Sequence, residues 1–127
     1  MRPDILGPVR AYAEAWSRGD TAAVVAGYAD DIVLHWGGSH ALSGRHAGKV
    51  AALQALAEFG RRTQRRLVRV VDVMAGAERG VVIAREALGT PPVEVERVLV
   101  YRVAGGLLAE CWVYDSDQAL IDRLVGR

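Results

Sequence analysis

The chain is predicted to be an α+β domain, and three observations predict it. Through the first half, apolar residues recur at steps of three and four, the period of helices packed on one face. In the second half the period changes to alternating and β-branched runs, the signature of strands. Short breaks rich in Gly and Pro separate those runs, as hairpin connections do. Helices first and an antiparallel meander after them is an α+β arrangement. The 127 residues are expected to form one domain, 1–127, long enough to bury a real core.

From Asp4 to Arg18, the residues Ile5, Val9, Tyr12, Ala13 and Trp16 fall on one helical face. Asp4 suits the N-cap, and Gly19 suits the stop. Asp20 is expected to cap a second helix running through Tyr28. Ile32 to Trp36 reads as a short strand, and Gly37-Gly38-Ser39 and Ser43-Gly44 punctuate the loop after it. Gly48 to Arg61 reads as a third helix, with Val50, Leu53, Leu56 and Ala57 at helical spacing. Four strands follow: Leu67 to Met74, Gly80 to Leu88, Val93 to Val103 and Leu107 to Tyr114. Asp117 to Val125 closes the chain as a short helix.

Composition narrows the function classes. There are 16 basic and 15 acidic residues, so no charge imbalance points to nucleic acid or to an anionic membrane. The run Arg61, Arg62, Arg65, Arg66 has no interleaved aromatics and reads as a solvated helix end. One cysteine, Cys111, excludes an internal disulfide framework. No apolar run approaches the roughly 20 residues of a membrane span. Met1-Arg2-Pro3-Asp4 lacks the layout of a signal peptide. A cytoplasmic protein is the expectation.

Two segments near the chain ends carry a family resemblance. They are Tyr12-Ala13-Glu14-Ala15-Trp16-Ser17-Arg18-Gly19-Asp20, with Tyr28-Ala29-Asp30-Asp31 after it, and Gly106 to Asp115. With Ser43-Gly44 before the third helix and His35-Trp36-Gly37-Gly38 after the first strand, they resemble the nuclear transport factor two-like superfamily. The nearest likeness within it is to SnoaL-like proteins, relatives of ketosteroid isomerases and polyketide cyclases. The resemblance implies a cystatin-like cone: a strongly curved antiparallel sheet wrapped around three N-terminal helices. It also implies a homodimer formed through the outer face of the sheet. One fold hosts many chemistries, so activity must be argued from the site.

The resemblance implies that Tyr12 donates a hydrogen bond to a developing enolate oxygen and that Tyr28 supports it. The other isomerase groups are missing. Trp36 stands where the family's general base would be, and the second oxyanion donor would fall near Val98. Asp115 is then the leading acid–base candidate, sharing a strand face with Cys111 and Val113. His40, in the loop expected over the cone mouth, is the alternative proton carrier. His35 is one residue off Trp36, so strict alternation turns it away unless a bulge intervenes. Trp36, Trp112, Tyr28, His35, Val98, Cys111 and Val113 are the expected ligand contacts. No histidine pair has zinc spacing, so neither metal nor cofactor is expected.

Three functions compete. The leading one is cofactor-free isomerisation or cyclisation of a hydrophobic carbonyl compound, polyketide-like, by acid–base chemistry. The second is a dimeric binding protein for an apolar small ligand, without chemistry. The third is water addition by an epoxide-hydrolase-like acid–Arg–acid relay. For that relay the charges of Glu94, Glu96 and Arg97 are on offer, but the second acid would fall near Val113.

Overall fold

The computed structural model describes residues 4–127, so the reading of Met1–Pro3 lies outside it. Asp4 Oδ1 accepts the Gly7 N–H at 2.9 Å and starts helix α1, Leu6–Ser17. Gly19, at φ +71°, takes the left-handed turn that ends it. Asp20 Oδ1 then accepts the Ala23 N–H and caps α2, Thr21–Ala26. This helix is shorter than the sequence predicts. Tyr28 instead opens strand β1, Tyr28–Trp36, because Gly27 closes α2 and the chain turns straight into the sheet.

The loop after β1 contains a short strand that the glycine punctuation hid. This is β2, Gly44–Ala47, paired antiparallel to β1. Helix α3, Lys49–Thr63, follows. It ends at Gln64, whose φ of +51° puts a non-glycine residue in the left-handed region. The meander comes next: β3 Arg66–Ala75, β4 Arg79–Leu88, β5 Val93–Ala104 and β6 Leu107–Asp115. Asp117 caps the last helix, α4, Gln118–Val125, through the Leu120 N–H.

The sheet has the order β2-β1-β6-β5-β4-β3 and does not close. It is curved, and the helices occupy its concave side as in an α+β cone. One pairing departs from the antiparallel expectation: β1 runs parallel to β6. The chain leaves β1 through β2 and α3 and returns only after the whole meander, so β6 enters beside β1 from the same end.

Alternation decides what faces the helices. On β5 the inward set is Val95, Arg97, Leu99 and Tyr101, all buried. Cys111 and Val113 on β6 face the same way. Helix α1 crosses β4 where that strand has no side chain. A Cβ on Gly80 would lie 2.5 Å from Val9 Cγ2, so any larger residue would push the helix off the sheet. Among the described residues, no helix is long and apolar enough to cross a membrane.

Candidate functional site

Side chains from α1, α3 and four strands enclose a narrow cavity of about 30 Å³, room for about two waters. It opens into a wider mouth of about 330 Å³ between α1, α2 and α3. Tyr12, Trp16, Tyr28, Leu56 and Arg65 line both spaces and form the neck between them. Below the neck the walls are mostly apolar, with Ile32, Leu34, Trp36 and Leu99 among them. Tyr101, Cys111, Glu86 and Arg97 supply the polar groups.

Tyr12 is the hub of a buried phenol cluster. The Tyr28 hydroxyl donates to the Tyr12 hydroxyl at 3.1 Å. The Tyr12 ring centre lies 5.6 Å from that of Tyr28 and 5.3 Å from that of Tyr101. Burial lifts the Tyr12 phenol above its ordinary pKa, while the Tyr101 and Tyr28 hydroxyls act in the opposite direction. Tyr28 and Tyr101 are pushed well above theirs, by burial first and then by Tyr12. Of the three, Tyr12 is the oxygen on which the cluster best tolerates negative charge. Its own O–H remains a donor for whatever enters the neck.

Behind the cavity wall lies a buried ionic triad. Arg97 Nη1 donates to Glu86 Oε2 at 3.2 Å, and Arg97 Nη2 donates to Asp115 Oδ2 at 3.3 Å. Arg97 Nε also donates to Asp115 Oδ1. All three side chains are almost wholly buried. Burial works against the Arg97 charge, but Glu86 and Asp115 outweigh it and hold its pKa above the ordinary value. The guanidinium lies on the Phe59 ring, with its carbon 4.4 Å from the ring centre. Glu86 and Arg97 line the cavity; Asp115 grips Arg97 from beyond it and borders a shallow outer depression instead.

The residues expected from sequence divide accordingly. Tyr12, Tyr28, Trp36, Cys111 and Val113 line the cavity. Asp115 does not reach it, because both of its oxygens are taken by Arg97. His40 is also elsewhere: it is buried edge-on to Trp36 near α4, and its Nδ1 accepts the Leu42 N–H at 3.1 Å. It covers no mouth, because Ala41 N–H is tied to the Gly126 carbonyl at the opposite end of the fold. His35 and Trp112 stack on each other on the outer face, with ring centres 5.3 Å apart, and His35 Nε2 meets Glu110 at 2.5 Å. Val98 faces outward as well, because the inward parity of β5 belongs to Arg97 and Leu99.

Three functional candidates were missed from sequence, Arg65, Glu86 and Tyr101, while Arg97 was weighed only with Glu94 and Glu96. Arg61 is exposed, as a solvated helix end should be, and pairs with Glu58, whereas Arg62 pairs with Glu58 but is partly buried and donates to the Val125 carbonyl. Arg65 instead turns toward the neck. An acid–Arg–acid chain exists, but Glu86, Arg97 and Asp115 build it, without Glu94 or Glu96. Glu94 pairs with Arg85 at the exposed surface. The available signal was parity: Arg97 alternates in step with Val95, Leu99 and Tyr101. Among the described residues, no group of three or more His, Cys, Asp or Glu gathers where it could hold a metal ion.

A family model for the SnoaL-like domain matches residues 9–111. Several solved structures share the fold. A protein of unknown function with a cystatin-like fold from Xanthomonas campestris is 22% identical, with a TM-score of 0.85 over 95% of this chain and 97% of that one. A proposed polyketide cyclase from the same species is 20% identical, with a TM-score of 0.72 over 93% and 94%. TerC, crystallised with polyporic acid, is 15% identical, with a TM-score of 0.75 over 94% and 97%. No sequence among the curated proteins matches this chain.

Proposed function

Because the chain belongs to the SnoaL-like domain family, we propose that it is a cofactor-free isomerase or cyclase acting on a hydrophobic carbonyl compound. The observation that carries this reading is the convergence of Tyr12 and Glu86 on one narrow apolar cavity. Tyr12 donates to the carbonyl oxygen, and the Tyr28 and Tyr101 hydroxyls act to stabilise negative charge on Tyr12. Such donors are in place before charge develops, so they favour the enolate over the ketone. The Glu86 carboxylate takes the proton from the carbon beside the carbonyl. Arg97, fixed by Asp115 and by the Phe59 ring, holds that carboxylate in position. Isomerisation ends when the Glu86 proton returns to another carbon. In cyclisation the enolate carbon attacks a second carbonyl, and the proton goes to the new alkoxide.

The dimensions support a division of the substrate. A space of about 30 Å³ admits the reacting carbonyl edge, while the body stays in the mouth among Trp16, Val24, Leu53 and Leu56. TerC, a structural neighbour, was crystallised with polyporic acid, a ligand compatible with an aromatic body in such a mouth. Water addition is less well supported, because the two carboxylates of the triad hold Arg97 from different sides and only Glu86 lines the cavity. Dimerisation through the outer sheet face belongs to the same reading. Tyr114 is exposed there, two residues along β6 from the Trp112 of the His35–Trp112 stack, and Met74 is exposed on the edge strand β3.

The test is deuterium exchange. Small cyclic and aryl ketones are incubated with the protein in D₂O, and loss of the α-proton signal is followed by NMR. The expected result is exchange above the buffer rate, lowered by Glu86→Gln and by Tyr12→Phe. Exchange that neither substitution alters would overturn the assignment.

A further inference from the structure

Resting on that reading of the cavity, we infer that the ligand carries a carboxylate, held at the neck by Arg65. Arg65 lines both the cavity and the mouth, and among the residues around the mouth it is the one with a formal charge. It makes no ion pair among the described residues, whereas Arg18, Lys49, Arg61 and Arg62 each have an acidic partner. Its position is built by the fold. Gln64 ends α3 in the left-handed conformation, and the Arg65 N–H closes the turn on the Gly60 carbonyl at 3.3 Å. The guanidinium then lies over the bare Gly60 backbone and toward the Phe59 ring, 5.8 Å from its centre.

Arg65 is a partly buried residue without an acidic partner, set in a mouth with no other formal charge, so it offers a charge that a ligand anion can neutralise. A carboxylate suits it better than a phosphate. The planar fork offers two parallel N–H bonds to a carboxylate, and Thr21 is the only other side-chain hydroxyl at the mouth apart from the phenols. A doubly charged phosphate would find too few donors. The anion is held at the neck and does not descend, because the space below is only about 30 Å³ and its one guanidinium, Arg97, is already held by two carboxylates. The substrate class is therefore an apolar acid that presents its carbonyl to Tyr12 and its carboxylate to Arg65.

Two probes of matched skeleton test this: 4-phenylbutanoate and 4-phenylbutan-1-ol, titrated into the full chain by calorimetry, with thermal melts confirming that each variant is folded. In the unmodified protein the carboxylate should bind about ten-fold tighter than the alcohol. Arg65→Met should abolish that preference and leave the alcohol's Kd unchanged, whereas Arg65→Lys should keep part of it. Equal affinities in the unmodified protein would overturn the inference, as would an equal loss for both probes in Arg65→Met, or no saturable binding of either. The ketone exchange experiment separates the two readings. If the catalytic reading alone fails, no ketone exchanges its proton, but the preference for the carboxylate persists and still disappears with Arg65→Met.

Discussion

The guanidinium of Arg97 is laid on the face of Phe59, 4.4 Å from the ring centre, in the middle of the fold. Helix α3 thus supplies an aromatic floor to a charge that the sheet supplies. The two carboxylates on either side complete a network with no exposed member.

Breaking that network should cost stability. Arg97→Met leaves Glu86 and Asp115 buried without a counter-charge, a loss expected at about 3–5 kcal/mol. Urea denaturation measures it. Converting all three positions to apolar residues of similar volume should recover much of the loss, since the desolvation cost then disappears with the charges. A triple variant no more stable than Arg97→Met would contradict this account.

The phenol cluster predicts unequal losses. Tyr12→Phe removes the donor aimed at the substrate and should lower turnover by roughly 10²–10³. Tyr28→Phe removes only a supporting bond to Tyr12, and its effect should be several times smaller. Steady-state kinetics on any ketone found by the exchange experiment gives both numbers, and an inverted ranking would place the donor on Tyr28.

His40 should make folding stability depend on mildly acidic pH. Burial lowers its pKa, although Asp122 and Asp115 pull the other way and Arg97 and Arg62 add to the lowering. The unfolded chain therefore binds this proton more readily. The stability is fully present above the unfolded value of about 6.5 and declines as pH falls through it. Asp122, itself depressed by the Ser39 N–H and Gln118, loses its contribution only at lower pH, as pH falls from the ordinary carboxylate value downward. Denaturation midpoints between about pH 7.5 and 5.5 should fall in the parent chain and stay flatter in His40→Gln.

Cys111 should behave as an inert thiol. Burial pushes it up to about 12, even though the Tyr101 hydroxyl acts the other way. At pH 8 a disulfide reagent should label it only through opening of the fold, at a rate that rises with added urea. Complete labelling within the mixing time would show that the cavity admits the reagent directly.

Much of this architecture could be read in advance. Helical spacing in Ile5, Val9, Tyr12 and Trp16 identifies α1 and its inner face, and the Gly-Asp turn at Gly19-Asp20 sets its end. Tyr12 falls on that inner face, while Tyr28 is singled out only through the family resemblance and opens β1 instead of closing α2. The triad was harder to read because a buried charge is recognisable only through its partners. Glu86 and Asp115 stand 11 and 18 residues from Arg97 along the chain. Gly80 to Leu88 reads as a strand, but nothing within it marks Glu86 as a buried acid until the β4–β5–β6 register brings it to Arg97. Arg65 was hidden for a local reason: nothing in four nearby arginines says that a left-handed Gln64 turns one of them inward.

The neck at Tyr12 and Tyr28 also divides the chain into two modules of design. Every residue around the mouth lies at or before Arg65, on α1, α2, α3, the turns beside them and the first residue of β1. The ionic triad, Tyr101 and Cys111 all come from the later strands. The mouth and the buried charges are thus encoded in separate stretches of sequence that meet only in space. A library confined to the helical half could retune what enters without disturbing a single buried charge.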